Sequence, residues 1–284
     1  MVRKVWDPRW RPVAILLSTG ALRYTKPMDF KTPPGLAPTA SLSAAGAAPR
    51  AMDVTRTYWF AMLAASALGT NVGDLWAEIL FPGRLSSLAS MLVICAASVW
   101  YDRRTAARTE AGYWIAIVAM RAAATNLADI ITHDLALGYV LASVLLGALT
   151  LIVARFTDPD LSRSGSPRVD GAYWTAMFIA GVFGTVAGDL IHHNIGLYSA
   201  SAGLCFLLAG LIVVRETRAP FSMLLFWSIV MAERCTGTAV GDALASRRAI
   251  ALGVPIASVC TGALTIIALW MHARRRRPGF ASAR

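Results

Sequence analysis

Charge is what this sequence has least of. Only 15% of its 284 residues are Asp, Glu, Lys or Arg, against 56% hydrophobic types. A soluble globular domain carries roughly 25% charged residues, and the mean hydropathy here is +0.56. A soluble enzyme is therefore not expected. Cysteine is scarce as well: Cys95, Cys205, Cys235 and Cys260 all lie inside apolar runs, with no C-x-x-C pair. A free cysteine in such surroundings behaves as a small buried hydrophobe, so neither a disulfide framework nor a thiolate metal site is expected. The sequence has no phosphate-binding Gly-rich loop, no zincin motif and no recognisable nucleophile arrangement of Ser, Cys and His. No enzymatic activity and no cofactor are expected; His192 beside His193 is only a weak sign of metal or haem.

What is present is a series of apolar blocks, each near the roughly 20 residues that a membrane helix needs. The formal net charge of +11 belongs to the two ends. Residues 1–50 hold eight Lys/Arg against two Asp/Glu, and the stretch from His272 to Arg284 holds five Arg and no acid. The run Arg274, Arg275, Arg276, Arg277 directly abuts an apolar segment. Such a run reads as a cytoplasmic stop beside a membrane helix, with lipid and not nucleic acid as its partner.

Residues 1–50 form a basic segment unlike the rest. From Lys31 to Arg50 it is rich in Pro, Ala, Ser, Gly and Thr and is expected to be disordered. Its apolar run, Val13 to Leu22, is about half the spanning length. Basic residues precede that run as in a signal peptide, but no small-residue cleavage site follows directly. Translation starting at Met28 or Met52 explains the segment equally well.

The core, 51–272, repeats. Four segments align without gaps, beginning at Tyr58-Trp59, Tyr113-Trp114, Tyr173-Trp174 and Phe226-Trp227 and ending at Asp74, Asp129, Asp189 and Asp242. The first aromatic always lies sixteen residues before the Asp, and a Thr (Thr70, Thr125, Thr185, Thr238) always lies four before it. After each Asp comes a short break and a second apolar run. The later breaks hold Gly138, Gly196 and Gly253, followed five residues on by Ser143, Ser201 and Ser258. Small residues at such spacing let membrane helices approach closely.

Each repeat (about 56–102, 111–155, 171–214 and 221–272) is thus predicted to be two transmembrane helices joined by a tight turn. First helices are expected near 56–79, 111–132, 171–192 and 221–244, and second helices near 86–102, 138–155, 197–214 and 252–272. The fold class is all-α: a polytopic membrane protein of eight spans in four tandem hairpins with internal pseudo-symmetry, followed by a basic tail, 273–284. The connectors after the second helices, with the tail, carry thirteen Arg, whereas the turns within repeats carry only Arg84, Arg247 and Arg248. The positive-inside rule then places both termini in the cytoplasm, and the aromatic–Trp pairs at the cytoplasmic headgroup level as anchors.

The aromatic–Trp start, the Gly-Thr-x-x-Gly-Asp end, the Leu-Gly after the break and Arg234 in the last copy together resemble a bacterial family of membrane-anchored proteins. That family is built from tandem copies of a short hairpin "repeat of unknown function". The resemblance covers roughly 55–271 and implies an inner-membrane location; it supplies no chemistry.

Residues four apart share a helix face. Read in that step, the first helices carry polar stripes: Ser66, Thr70, Asp74, Glu78; Arg121, Thr125, Asp129, His133; Gly181, Thr185, Asp189, His193; and Arg234, Thr238, Asp242, Ser246. A charge at mid-membrane costs about 2.5–3.5 kcal/mol even on the mildest scale, so these stripes must face one another, with the first helices inside and the second helices toward lipid. Small residues and Arg alternate at the innermost position, which suggests two pseudo-symmetric halves rather than a fourfold ring. Oxygen ligands from Asp and Thr suit hard cations, and His133 or His193 would extend the range to transition metals. The same acids would serve a proton relay. The expected function is a small-cation or proton-coupled permease, with Arg121 and Arg234 setting the electrostatics. The competing expectation is a non-transporting scaffold or partner subunit, in which Asp caps the turn, Thr bonds back within its own helix and Arg makes structural ion pairs.

Overall fold

A computed structural model describes residues 52–81, 83–104, 110–157, 167–217 and 222–275. The expectations for residues 1–50 and for the basic run beyond Arg275 lie outside the described residues, as do Arg108, Arg163 and Arg218.

The described residues form eight α-helices. They are α1 (Arg56–Leu75), α2 (Arg84–Arg104), α3 (Ala111–Asp129), α4 (Tyr139–Ala154), α5 (Gly171–Ile195), α6 (Leu197–Thr217), α7 (Met223–Ala245) and α8 (Val254–Arg275). The odd-numbered helices are the first helices of the four repeats. Three of their four starts are capped by side chains: Thr55 accepts from the Tyr58 amide, Asp170 from that of Tyr173 and Ser222 from that of Leu225, each satisfying a donor that the first turn leaves open. Immediately past Asp74 and Asp129 the helices widen into π-helical turns, Trp76–Leu80 and Ile130–Asp134. Every turn within a repeat holds a glycine at positive φ, Gly83, Gly138, Gly196 and Gly253, a region that L side chains enter only under strain.

Six helices, α2, α3, α5, α6, α7 and α8, are long and apolar enough to cross a membrane. Helix α4 is apolar but has only 16 residues. Helix α1 falls outside that class because it carries Ser66, Thr70, Asn71 and Asp74, the first three of which are buried against its neighbours.

The odd helices close a ring: α1 packs on α3, α3 on α5, α5 on α7, and α7 back on α1. The even helices lie outside it. In α3, α5 and α7, 56–67% of the most apolar stretch is buried, against 11–28% in α2, α6 and α8. The two helices of one repeat are joined by a short turn but do not form the main packing pair. Instead α2 packs on α3, α4 on α5, α6 on α7, and α8 on α1. Each second helix therefore leans on the first helix of the following repeat, and the last closes onto the first. Serine and threonine mark one such seam: Ser201 Oγ donates to the Ala239 carbonyl at 2.9 Å, and Thr236 Oγ1 to that of Leu204 at 3.2 Å.

Small residues make the ring tight. A Cβ on Gly69 would collide with Arg121, one on Gly184 with Arg234, and one on Gly237 with Ser66. One turn further, a Cβ on Gly73 would lie 3.2 Å from that of Thr125, on Gly188 3.3 Å from that of Thr238, and on Gly241 3.4 Å from that of Thr70. At the fourth seam, Ala124 stands where the other repeats have Gly, and it faces Gly181, the smallest partner available. The four seams share one register, and their contacts alternate between Arg (at Gly69 and Gly184) and small residues (Gly237 with Ser66, Gly181 with Ala124), as in two halves of two repeats each. The alternation of Arg with Ser or Gly is a difference of charge within an equivalent register.

Candidate functional site

The axis of the ring is built in layers. At the helix starts, Tyr58, Tyr113 and Tyr173 bring their hydroxyls together, at 3.0 Å (58–113), 3.3 Å (58–173) and 2.6 Å (113–173), and Phe226 fills the fourth place. Their neighbours Trp59, Trp114 and Trp227 are buried and Trp174 is half-buried. The aromatic pairs are thus core residues closing one end of the ring, not the headgroup anchors expected from sequence. Convergence of the helix starts buries them. Among the described residues, the exposed tryptophans lie instead at second-helix ends, Trp100 and Trp270, each with an arginine over its ring, Arg104 at 5.0 Å and Arg274 at 3.7 Å.

One turn on come the buried apolar residues Met62, Ile117, Met177 and Val230. Next is a buried ionic layer. Arg121 Nη2 lies 2.8 Å from Glu233 Oε2 across the ring, with both side chains at most 2% exposed. Arg121 Nη1 donates to Ser66 Oγ, and Arg234 Nη1 donates to the same oxygen at 3.0 Å. Arg234 Nη2 reaches Thr185 Oγ1 at 3.2 Å and the Gly181 carbonyl at 3.4 Å. Both arginines are therefore bonded between helices. Glu233 is absent from the sequence stripe because it stands one residue off the four-step column.

The threonines form the following layer. Thr70, Thr125 and Thr185 donate to the carbonyls four residues back, of Ser66, Arg121 and Gly181, the arrangement that competes with a ligand role. Thr238 differs: its buried hydroxyl has no hydrogen-bond partner.

The four aspartates end the ring on the side opposite the tyrosines. Asp129, Asp189 and Asp242 are 29%, 13% and 23% exposed, so this end is open whereas the other is sealed. They are not equivalent. Asp129 faces Arg84 Nε at 3.7 Å and His133 Nδ1 at 3.8 Å, and Arg84 also bonds Asp134 at 2.7 Å. Asp189 and Asp242 share His192, whose Nδ1 lies 3.6 Å from one and 3.9 Å from the other. Asp74 makes no ion pair among the described residues and lies within coulombic reach of Asp242, Asp129 and Glu78.

Of the further residues expected from sequence, Glu78, His133 and His193 are exposed around this opening. His193 Nδ1 bonds its own helix at the Asp189 carbonyl, 2.7 Å away, and its ring stacks on His192 at 4.3 Å. His192, three residues after Asp189, is the imidazole that turns inward. Positions three apart also share a face, so a stripe read in both steps finds it.

Residues 225–278 match the family described as Repeat of Unknown Function (DUF347). No curated protein and no solved structure matches the chain.

Proposed function

We propose that this chain is an integral inner-membrane protein that binds and moves a small cation through the ring of its four first helices. The observation that carries the reading is the one-sided axis: four carboxylates around an open end, a buried Arg121–Glu233–Arg234 layer beneath them, and a tyrosine seal at the far end. Acids inside a membrane domain are costly and are retained where ions or protons bind. A ring of four acids is most favourable when a cation or protons offset its charge. Release on the other side would require the tyrosine seal to part, and repeated transmembrane folds commonly move repeats about a site between them. The arginines at the second-helix ends argue that the tyrosine end faces the cytoplasm, with both termini, and the aspartate end the outside.

The scaffold reading is favoured by one observation, the closed tyrosine end, which a protein that transports nothing would keep permanently shut. Proteoliposome flux across a panel of cations, with and without a pH gradient, separates the two. The expected result is uptake that Asp189→Asn and Asp242→Asn abolish while both variants remain folded. Absence of flux for every cation, with all four Asp→Asn variants retaining stability and physiological activity, would sink the transport reading. Cysteine labelling at Leu137 and Gly196 should report the outer side and at Ser164 the inner side; the reverse pattern overturns the orientation.

A further inference from the structure

Two carboxylates and one imidazole meet where α5 and α7 reach the open end. Asp189, His192 and Asp242 each present one ligand atom, and these atoms all lie within 4.8 Å of one another. We propose that this trio is a site for a divalent transition-metal ion of the zinc, cobalt or manganese kind. This rests on the preceding reading of the aspartate end as a cation mouth, and it narrows the cation class.

Three observations support it. The separations of His192 Nδ1 from Asp189 Oδ1 and Asp242 Oδ2, 3.6 and 3.9 Å, are too long for hydrogen bonds. They are close to the spacing of ligands around one ion, about 3.4 Å edge to edge for bonds of about 2.1 Å. His192 Nδ1 is a buried nitrogen with no hydrogen-bond partner. An unsatisfied buried polar atom is rare in a native protein and is often explained by an ion or a water. Independently, the hydroxyl of Thr238, a residue only 1% exposed, is also buried without a partner. Thr238 stands one turn inward of Asp242, and its Cβ lies 3.3 Å from the place a Cβ on Gly188 would take. It therefore lies in the same α5–α7 seam, one turn inward of the trio, and is a second unsatisfied polar group beside it.

The ligand set decides the metal class. Two carboxylates alone would suit Ca²⁺ or Mg²⁺, whereas an imidazole nitrogen shifts preference to zinc, cobalt, manganese or iron. The other two aspartates lack this arrangement, because Asp129 is engaged by Arg84 and His133 and Asp74 has no imidazole beside it. An open groove of about 590 Å³, lined by His192, His193, Ser199, Ser246 and Arg248 among others, reaches the imidazole of the trio.

The test uses the full chain in nanodiscs, stripped with chelator and titrated with Co²⁺ and Zn²⁺. Wild-type protein should bind one ion per chain, prefer Zn²⁺ and Co²⁺ over Ca²⁺ and Mg²⁺, and give a Co²⁺ X-ray absorption spectrum of one imidazole nitrogen with oxygens. His192→Gln, Asp189→Asn and Asp242→Asn should each weaken binding by more than about 100-fold, since even outer-shell partners of metal ligands cost about 10–100-fold. Cys205→Ser, at an exposed thiol, should bind as wild type. Equal affinity in His192→Gln overturns the site. If that variant does not fold, a wild-type spectrum lacking imidazole nitrogen, or showing thiolate, overturns it equally. Metal binding without flux sinks transport and leaves the site standing; flux of Na⁺ or protons without metal binding does the opposite.

Discussion

The guanidinium of Arg121 is enclosed at the centre of the bundle, and its charge is tolerable there because Glu233 reaches it across the ring at 2.8 Å. Removing one member of such a pair leaves a buried charge uncompensated, at a cost of about 3–5 kcal/mol, whereas replacing both by apolar residues is often close to neutral. Arg121→Met and Glu233→Met should each lower unfolding stability in detergent by about that amount. The double variant should recover most of it; a loss in the double variant equal to the sum of the two single losses would show that the pair is not coupled. At this scale the sequence disclosed the right residues incompletely. It placed both arginines in the core and required partners on other helices, because an unpaired charge has no place in lipid. It missed Glu233, and kept His192 off the stripe as only a weak metal sign, for one geometric reason: the polar face is wider than a column drawn every four residues, and both sit one position off that column.

Turns and seams are where the elements are specified. Gly138, Gly196 and Gly253 punctuate the sequence as breaks, and each has positive φ. Nothing crowds Gly196 within 4 Å, so Gly196→Ala tests backbone strain alone; it should cost about 1–3 kcal/mol, read as a lower melting temperature. Ala136 and Ala251, two residues before Gly138 and Gly253, also have positive φ, and Ala136→Gly should raise stability by relieving that strain. At the seams the expected penalty is larger, because the obstacle is a neighbouring helix. Gly184→Val and Gly237→Val should prevent ring closure and give protein that is extracted but does not run as a compact species on gel filtration. The Gly-Thr-x-x-Gly-Asp ending was legible as a pattern, and its two glycines prove to be the surface that receives the next helix. The aromatic pairs were not legible in this way. An amphipathic ring suits a membrane interface as well as a core, and what decides is whether the helix starts converge, which no single helix records.

At the scale of the whole molecule, eight helices were legible from the fourfold motif, but their pairing was not. A short turn suggests that its two helices pack together, and in this chain the stronger partner is always the helix of the following repeat. A chain ending after α6 therefore lacks both α7, which completes the inner ring, and α8, which covers α1. It should be degraded or aggregate rather than insert as a smaller stable protein, as pulse-chase in cells would show. The cover has a further consequence. Thr57, near the start of α1, and His272, near the end of α8, touch at 3.2 Å, so the helical domain begins where it finishes. A circle has no preferred point of entry. Joining residue 275 to residue 52 through a short flexible linker and opening the chain between residues 163 and 164 should produce a permuted protein with the same ring and the same melting behaviour. If such a permutant fails to fold, the order in which the repeats are synthesised, and not only their mutual fit, determines the structure.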